Sequence, residues 1–473
     1  MEEEIKKLII EIINDLNYDL SDLELQKYLY EKGAKAFNKI NSGNYSLDEI
    51  RTFLVSNVPI MMKEYERLKQ SIAKKSLAET NFGVSINYQL VELFKILNST
   101  LSSDEFITMK TEYLKSQPVI FPGILECTHD EIKNIYNNII ENCDVITPEA
   151  EAKMTAIINN QMDPFNNDGS VNTHILNFFY LDSIVNFAKQ HDMKVRLHTL
   201  VWHKHFPKIL ENYSKNQIVS FLDFYFSSIA NRYSNDTFYS IDVLNEIVAD
   251  INSEEFKRGE NLRNSKWKEK LGNDYYLTIL KLARKNFPNS NFTYNEYDET
   301  NSEKRKRMIK IIDEIKQEET ITGTTLLDSI GLQSHYHEYT DDDEIKATYK
   351  DLSKTGKKLE VSEMDIAKIN NSDDMQVNRV FRTVLDCCST YDVNSFTCWG
   401  PTSSISWKSK QVRTFLNEKG EIDSSCKQIV RTYSEKKKKN LNRNNPNLCD
   451  TSTSYLQENT TYFNNENSIN KKI

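Results

Sequence analysis

From about residue 115 onward, short apolar runs alternate with long stretches of helical periodicity, the β-then-α rhythm of a parallel sheet. Eight runs stand as candidate strands: Val119–Leu125, Cys143–Thr147, Lys194–Thr199, Phe238–Leu244, Asn291–Asn295, Leu327–Leu332, Leu359–Met364 and Ser395–Trp399. Eight is the number that closes an α/β barrel of the (β/α)8 type. Over residues 1–112 the pattern is helical instead. Ile5, Leu8, Ile9, Ile12, Ile13 and Leu16 recur on one helix face. Ser21-x-x-Glu24, Ser46-x-x-Glu49 and Ser102-x-x-Glu105 carry the capping-box signature of helix starts. After residue 432 come Lys436 to Lys439 and then Asn440, Asn442, Asn444, Asn445 and Asn447. So few apolar residues cannot bury enough surface to order a segment. The expected organisation is an α-helical N-terminal region (1–112), a (β/α)8 TIM barrel (113–432) and a polar, disordered tail (433–473).

Composition narrows the function classes. A hydrophobic share of 38% beside 27% charged residues is that of a globular chain with a sizeable core. The net charge of −9 argues against a nucleic-acid partner, because phosphate binding draws on an excess of clustered Lys and Arg. The start, Met1-Glu-Glu-Glu-Ile-Lys-Lys, places acids where a signal peptide needs basic residues. No apolar run approaches the roughly 18 residues of a membrane span. These features predict a cytoplasmic protein without a membrane partner. The seven cysteines lack C-x-x-C spacing, and reduced thiols are expected.

The chemistry concentrates on two glutamates. Glu246 ends the run that begins at Phe238, and Glu363 ends the run that begins at Lys358, so both carboxylates fall at the carboxyl ends of candidate strands four and seven. In a parallel α/β barrel those ends form the catalytic rim. Two facing carboxylates are the minimum for breaking a glycosidic bond, provided that one stays protonated and the other ionised.

Other segments extend this reading. Arg196-Leu-His-Thr-Leu-Val-Trp-His-Lys-His205 closes strand three and resembles the R-G-H-T-L-V-W-H-x-Q segment of glycoside hydrolase family 10, the retaining endo-β-1,4-xylanases. Thr147-Pro-Glu149 with Lys153 resembles the family's T-x-E-N-x-M-K, Asp242-Val-Leu-Asn-Glu246 its D-V-V-N-E, and Tyr294-Asn-Glu-Tyr297 its I-N-D-Y. Gly331-Leu-Gln-Ser-His335 resembles G-L-Q-S-H, and Ser362-Glu-Met-Asp365 resembles T-E-L-D. Trp399-Gly400 with Trp407 resembles W-G-V-T-D-x-x-S-W. The likeness covers about residues 118–432.

The resemblance implies Glu246 as acid/base and Glu363 as nucleophile, with His335 and Asp365 orienting the nucleophile. It implies that Asn245, His198, Lys153 and Gln333 bond sugar hydroxyls, that Trp202, Trp399 and Trp407 wall the pocket, and that Glu149 and Tyr297 hold sugars nearby. The implied substrate is xylan or xylo-oligosaccharide, with no cofactor and no metal. Residues 1–112 are the expected place for any protein partner or self-association.

Departures bear on the substrate more than on the reaction. Ala150 stands where the family has Asn, Met154 at Trp, Leu197 at Gly, His205 at Gln, Ile241 at Trp and Ser403 at Asp. Two alternatives follow. A sugar-binding or scaffold protein could keep the barrel while losing activity. Alternatively, His198, His203 and His205 could ligate zinc in a barrel hydrolase.

Overall fold

A computed structural model describes residues 80–427 except 122, 234–235, 369–373 and 409–410, together with scattered positions before residue 60. The amphipathic helix expected at Ile5–Leu16, the capping signals at Ser21 and Ser46 and the polar tail expected after residue 432 all fall outside the described residues, apart from isolated positions. The chain divides into two compact units, and the barrel lies in the one formed by Thr80–Leu385 and Val393–Ile473.

Eight parallel strands close that barrel. They are β1 (Asn81–Ile86), β2 (Val145–Pro148), β3 (Lys194–Trp202), β4 (Phe238–Asn245), β5 (Phe292–Glu296), β6 (Ser329–Leu332), β8 (Lys358–Ala367) and β9 (Val393–Cys398), each bonded to the next and β9 bonded back to β1. A short β7 (His335–His337) runs parallel beside β8, and β10 (Val412–Arg413) pairs antiparallel with it. Helices cover the outside, so the strands are buried on both faces and read as near-continuous apolar runs. That is why seven of the eight sequence-predicted strands match to within a few residues.

The first strand is the exception. Val119–Leu125 is not a strand: Ile124–Glu126 forms a 3-10 turn, and Val119 and Leu125 are exposed at 75% and 58%. Pro and Gly at 122 and 123 forbid a ladder strand there. Gly123 has φ +77, and a Cβ on it would overlap the Ser404 carbonyl, so the segment is a tight turn docked on the loop after β9. The barrel's true first strand, Asn81–Ile86, falls inside the region assigned above to an all-helical N-terminus. The barrel fold therefore begins about thirty residues earlier than the boundary at 113. Its six residues alternate Phe82, Val84 and Ile86 with Gly83 and Ser85, and the strand takes its order from pairing with β2 and β9.

The helices Tyr88–Ser99 and Ser103–Lys115 follow β1 and belong to the barrel wall. Ser102 caps the second of these, accepting from the Glu105 backbone at 3.2 Å, while Glu105 accepts from the Leu101 backbone at 2.8 Å. Cys127, Cys398 and Cys426 are buried as free thiols. Among the described residues no helix is long and apolar enough to cross a membrane.

Candidate active site

Beneath the rim, the barrel interior is built around a charge. Arg196 on β3 is 1% exposed and bonds both carboxylate oxygens of Asp242 on β4, at 3.1 and 2.5 Å, and also Glu360 on β8. Neighbouring carboxylates hold its guanidinium charged despite complete burial, as a buried charge requires. His198 extends the group, with Nδ1 2.8 Å from the second Asp242 oxygen. This cluster forms the floor under the two glutamates.

Glu363, on β8, is 5% exposed. Its Oε1 accepts from Asn295 Nδ2 at 2.6 Å and its Oε2 lies 3.3 Å from His335 Nε2, while His198 Nδ1 stands 3.9 Å away. Burial by itself would raise its pKa, but the charges of His198 and His335 and the bonds from His335 and Asn295 hold it at about 2. His335 is gripped from the other side by Asp365, 2.9 Å from Nδ1. Burial works against the imidazolium, yet Asp365 and Glu363 outweigh it and raise His335 to about 10. Trp407 Nε1 donates to the other Asp365 oxygen at 2.7 Å, which fixes that carboxylate in turn.

Glu246 directly follows β4, with a left-handed backbone (φ 56) that turns its side chain over the barrel mouth. It accepts from Trp202 Nε1 at 2.8 Å and from Gln333 Nε2 at 3.2 Å. Burial first, then the nearby Glu296 charge, raise its pKa above the ordinary carboxylate range. The two glutamates are therefore pushed in opposite directions, the condition for one to carry a proton while the other is ionised.

A run of amides joins them. Asn295 Nδ2 donates both to Glu363 and, at 2.8 Å, to Asn245 Oδ1, while Gln333 Nε2 reaches both Asn245 Oδ1 at 3.5 Å and Glu246. Asn245 Nδ2 is buried and has no hydrogen-bond partner among the described residues, so it is a free donor at the centre of the site. Asn295 lies in the Tyr294-Asn-Glu-Tyr297 segment, where the sequence singles out only Tyr297. Two polar residues, Asn295 and Glu296, end the buried strand β5, and that was the available signal. Gly331 on β6 makes room for Asn295, since a Cβ there would overlap its amide oxygen.

The remaining candidates divide into groups. Glu149 is 5% exposed and accepts from Ser85 Oγ at 3.1 Å; burial and the neighbouring Glu151 push its pKa to about 8. Lys153 lies 4.8 Å from the Trp202 ring centroid, its pKa lowered by burial. Trp399 is buried with its ring edge-on to His198 at 5.4 Å, and Trp407, half exposed, lies 5.1 Å from His335. Tyr297 is drawn into a separate group: its hydroxyl bonds Asp250 and Arg263, and Lys304 Nζ sits 3.5 Å over its ring.

The changed positions behave differently from one another. Leu197 and Ile241 are buried register partners on β3 and β4, so they alter packing. Ala150 presents only its backbone, which donates to Glu151 at 3.0 Å. His205 stacks on Trp202 at 4.9 Å and bonds Thr155, and burial lowers its pKa to about 4. The three histidines of the zinc alternative diverge: His198 goes to Asp242, His203 lies 3.7 Å from Glu246, and His205 covers Trp202. Among the described residues no group of three or more His, Cys, Asp or Glu is arranged to hold a metal ion.

Comparison with known families supplies the deciding observation: residues 118–429 match the model of Glycosyl hydrolase family 10. The chain belongs to glycosyl hydrolase family 10. Curated relatives include endo-1,4-beta-xylanase A of Caldicellulosiruptor saccharolyticus, 27% identical over 49% of this chain and 71% of the relative. Endo-1,4-beta-xylanase A of Thermoanaerobacterium saccharolyticum is 27% identical over 48% of this chain, but that match spans only 20% of the relative. Exoglucanase XynX of Acetivibrio thermocellus is also 27% identical, over 48% of this chain and 22% of the relative. Among solved structures, xylanase 10B from Thermotoga petrophila in complex with xylobiose superposes with a TM-score of 0.57 at 20% identity, covering 77% of this chain and 96% of that one. At that identity the likeness speaks for the barrel alone.

Proposed function

We propose that this protein hydrolyses β-1,4-xylosidic bonds in xylan or xylo-oligosaccharides with retention, using Glu363 as nucleophile and Glu246 as acid/base. The observation that carries this reading is the opposite bias of the two carboxyls, Glu363 held near 2 and Glu246 raised, across a shared set of amides. Family membership and the names of the xylanase relatives support the substrate class. In the first step a Glu363 oxygen bonds to the anomeric carbon, the bond to the leaving oxygen breaks, and that oxygen takes the Glu246 proton. In the second, Glu246 removes a proton from water, whose oxygen replaces Glu363 on the same carbon. Asn245 Nδ2, lacking a protein partner, is free to donate to a sugar hydroxyl. Burial and the neighbouring Glu151 push Glu149 up to about 8, which favours its protonated form as a further donor to a sugar hydroxyl.

Mass spectrometry after incubation with 2-fluoro-xylosides tests the proposal. A covalent adduct on Glu363 is the expected result. Labelling only by a 2-fluoro-glucoside would keep the mechanism and change the sugar, and no label from any β-glycoside would overturn the enzymatic reading in favour of a sugar-binding protein.

A further inference from the structure

Three aromatic side chains cluster on the rim outside the site described above. Tyr88 follows β1 by two residues, and Phe179 and Tyr180 open the helix Phe179–Gln190 that returns from β2 to β3. A helix in a parallel barrel runs opposite to its strands, so its first turn lies at the strands' carboxyl ends. All three rings are therefore on the same end of the barrel as Glu246 and Glu363. Their centroids lie 4.6 Å (Tyr88 to Tyr180), 5.8 Å (Tyr88 to Phe179) and 5.4 Å (Phe179 to Tyr180) apart.

Packing does not require this exposure. Leu181, Ile184 and Val185 of the same helix fill the core, whereas Phe179 is 60% exposed and Tyr180 41%. Val119 and Ile120 enlarge the apolar surface on a segment held by Gln89, which donates to the Val119 carbonyl at 2.6 Å and accepts from the Phe121 backbone at 2.8 Å. A contiguous exposed apolar patch on a globular protein marks a contact site. The cluster is also tied to the catalytic cleft. Glu151 accepts from the Tyr88 backbone at 2.6 Å, in the segment that carries Glu149 and Lys153.

We propose that Tyr88, Phe179 and Tyr180 form a further glycan-binding surface, which takes a sugar ring of the same β-linked chain beyond the rings held at Glu246 and Glu363. This rests on the glycosidase reading above. Pyranose C–H faces are apolar and their edges polar, so rings that offer both a face and a phenolic edge suit them. Continuity with the Glu149–Lys153 segment selects the chain already in the cleft as the occupant.

The test is the full-length double variant Phe179→Ala/Tyr180→Ala, assayed on a short aryl β-xyloside and on soluble xylan. Loss of aromatic anchors is expected to lower kcat/KM on the polymer about tenfold, while the short substrate changes by less than about twofold. Equal loss on both substrates, or loss on neither, overturns the proposal. If the wild-type chain cleaves neither substrate, the glycosidase reading fails separately, and migration in gels containing soluble xylan or β-glucan then reads the surface. Retardation abolished by the double variant supports it, and retardation absent or unchanged overturns it. A change in sedimentation with unchanged retardation would make the face a self-association surface, which also overturns it.

Discussion

Asn295 Nδ2 stands 2.6 Å from Glu363 Oε1 and 2.8 Å from Asn245 Oδ1, so one amide nitrogen serves both the proposed nucleophile and the neighbour of the proposed acid. Ser362 Oγ, 2.6 Å from Asn295 Oδ1, fixes the orientation of that amide. Asn295→Ala removes a bond that favours the ionised carboxylate, so the pKa of Glu363 should rise from about 2. A hydrogen bond to a charged group is worth about 1.5–3 kcal/mol, which corresponds to a loss of roughly ten- to a hundredfold in kcat/KM. A pH–rate profile should show the acid limb moving upward; an unmoved limb would remove Asn295 from this role.

Trp202 bears on the other glutamate. Its Nε1 donates to Glu246 at 2.8 Å and favours the ionised form, opposing the rise caused by burial and Glu296. Trp202→Phe should therefore push Glu246 higher still and shift the basic limb of kcat/KM to higher pH. Glu246→Gln should slow turnover on substrates with poor leaving groups by about 10² to 10⁴, and far less where an activated aryl group leaves unaided. Steady-state kinetics on a leaving-group series would check both.

His335 and Glu363 make stability depend on pH in opposite senses. His335 is raised from 6.5 to about 10, so the stability it adds is fully present below 6.5 and is lost as pH rises through 10. Glu363 is lowered from 4.5 to about 2, so its contribution is present above 4.5 and is lost as pH falls toward 2. The difference in Tm between the wild type and His335→Gln should accordingly be larger at pH 6 than at pH 10. Differential scanning calorimetry at the two values would show it, and a gap that widens with pH would contradict the assignment.

Arg196 neutralises Asp242 and Glu360 where all three are buried. Arg196→Met leaves two carboxylates without a cation and should cost about 3–5 kcal/mol in urea unfolding. Replacing all three with apolar residues should recover part of that loss, because the uncompensated charge, more than the missing contact, sets the cost.

Much of the fold could be read in one dimension. Seven barrel strands are runs buried on both faces, so their apolar character is continuous and local. The first was missed because Asn81–Ile86 is six residues long with a glycine inside it, and only β2 and β9 on either side make it a strand. Val119–Leu125 differs for the opposite reason: its apolar residues resemble a strand, but the Pro and Gly inside the run break the ladder and make a turn. Of the site, the two glutamates and their motif neighbours were legible because each closes an apolar run in the sequence, although in the structure Glu246 directly follows β4 while Glu363 lies inside β8, which continues to Ala367. Glu296 and Asn295 were not, since their importance comes from neighbours on β4, β6 and β8.

Sequence by itself determined the (β/α)8 architecture, the family and the identity of the two carboxylates at the rim, because periodicity and motif order are properties of neighbouring residues. Tertiary structure alone decided that β1 closes the barrel, that Tyr297 turns to Asp250 and Arg263, and that Glu363 is held low while Glu246 is raised. Those outcomes depend on desolvation and on charges contributed by strands far apart in the chain, which only closure of the barrel brings within a few ångströms.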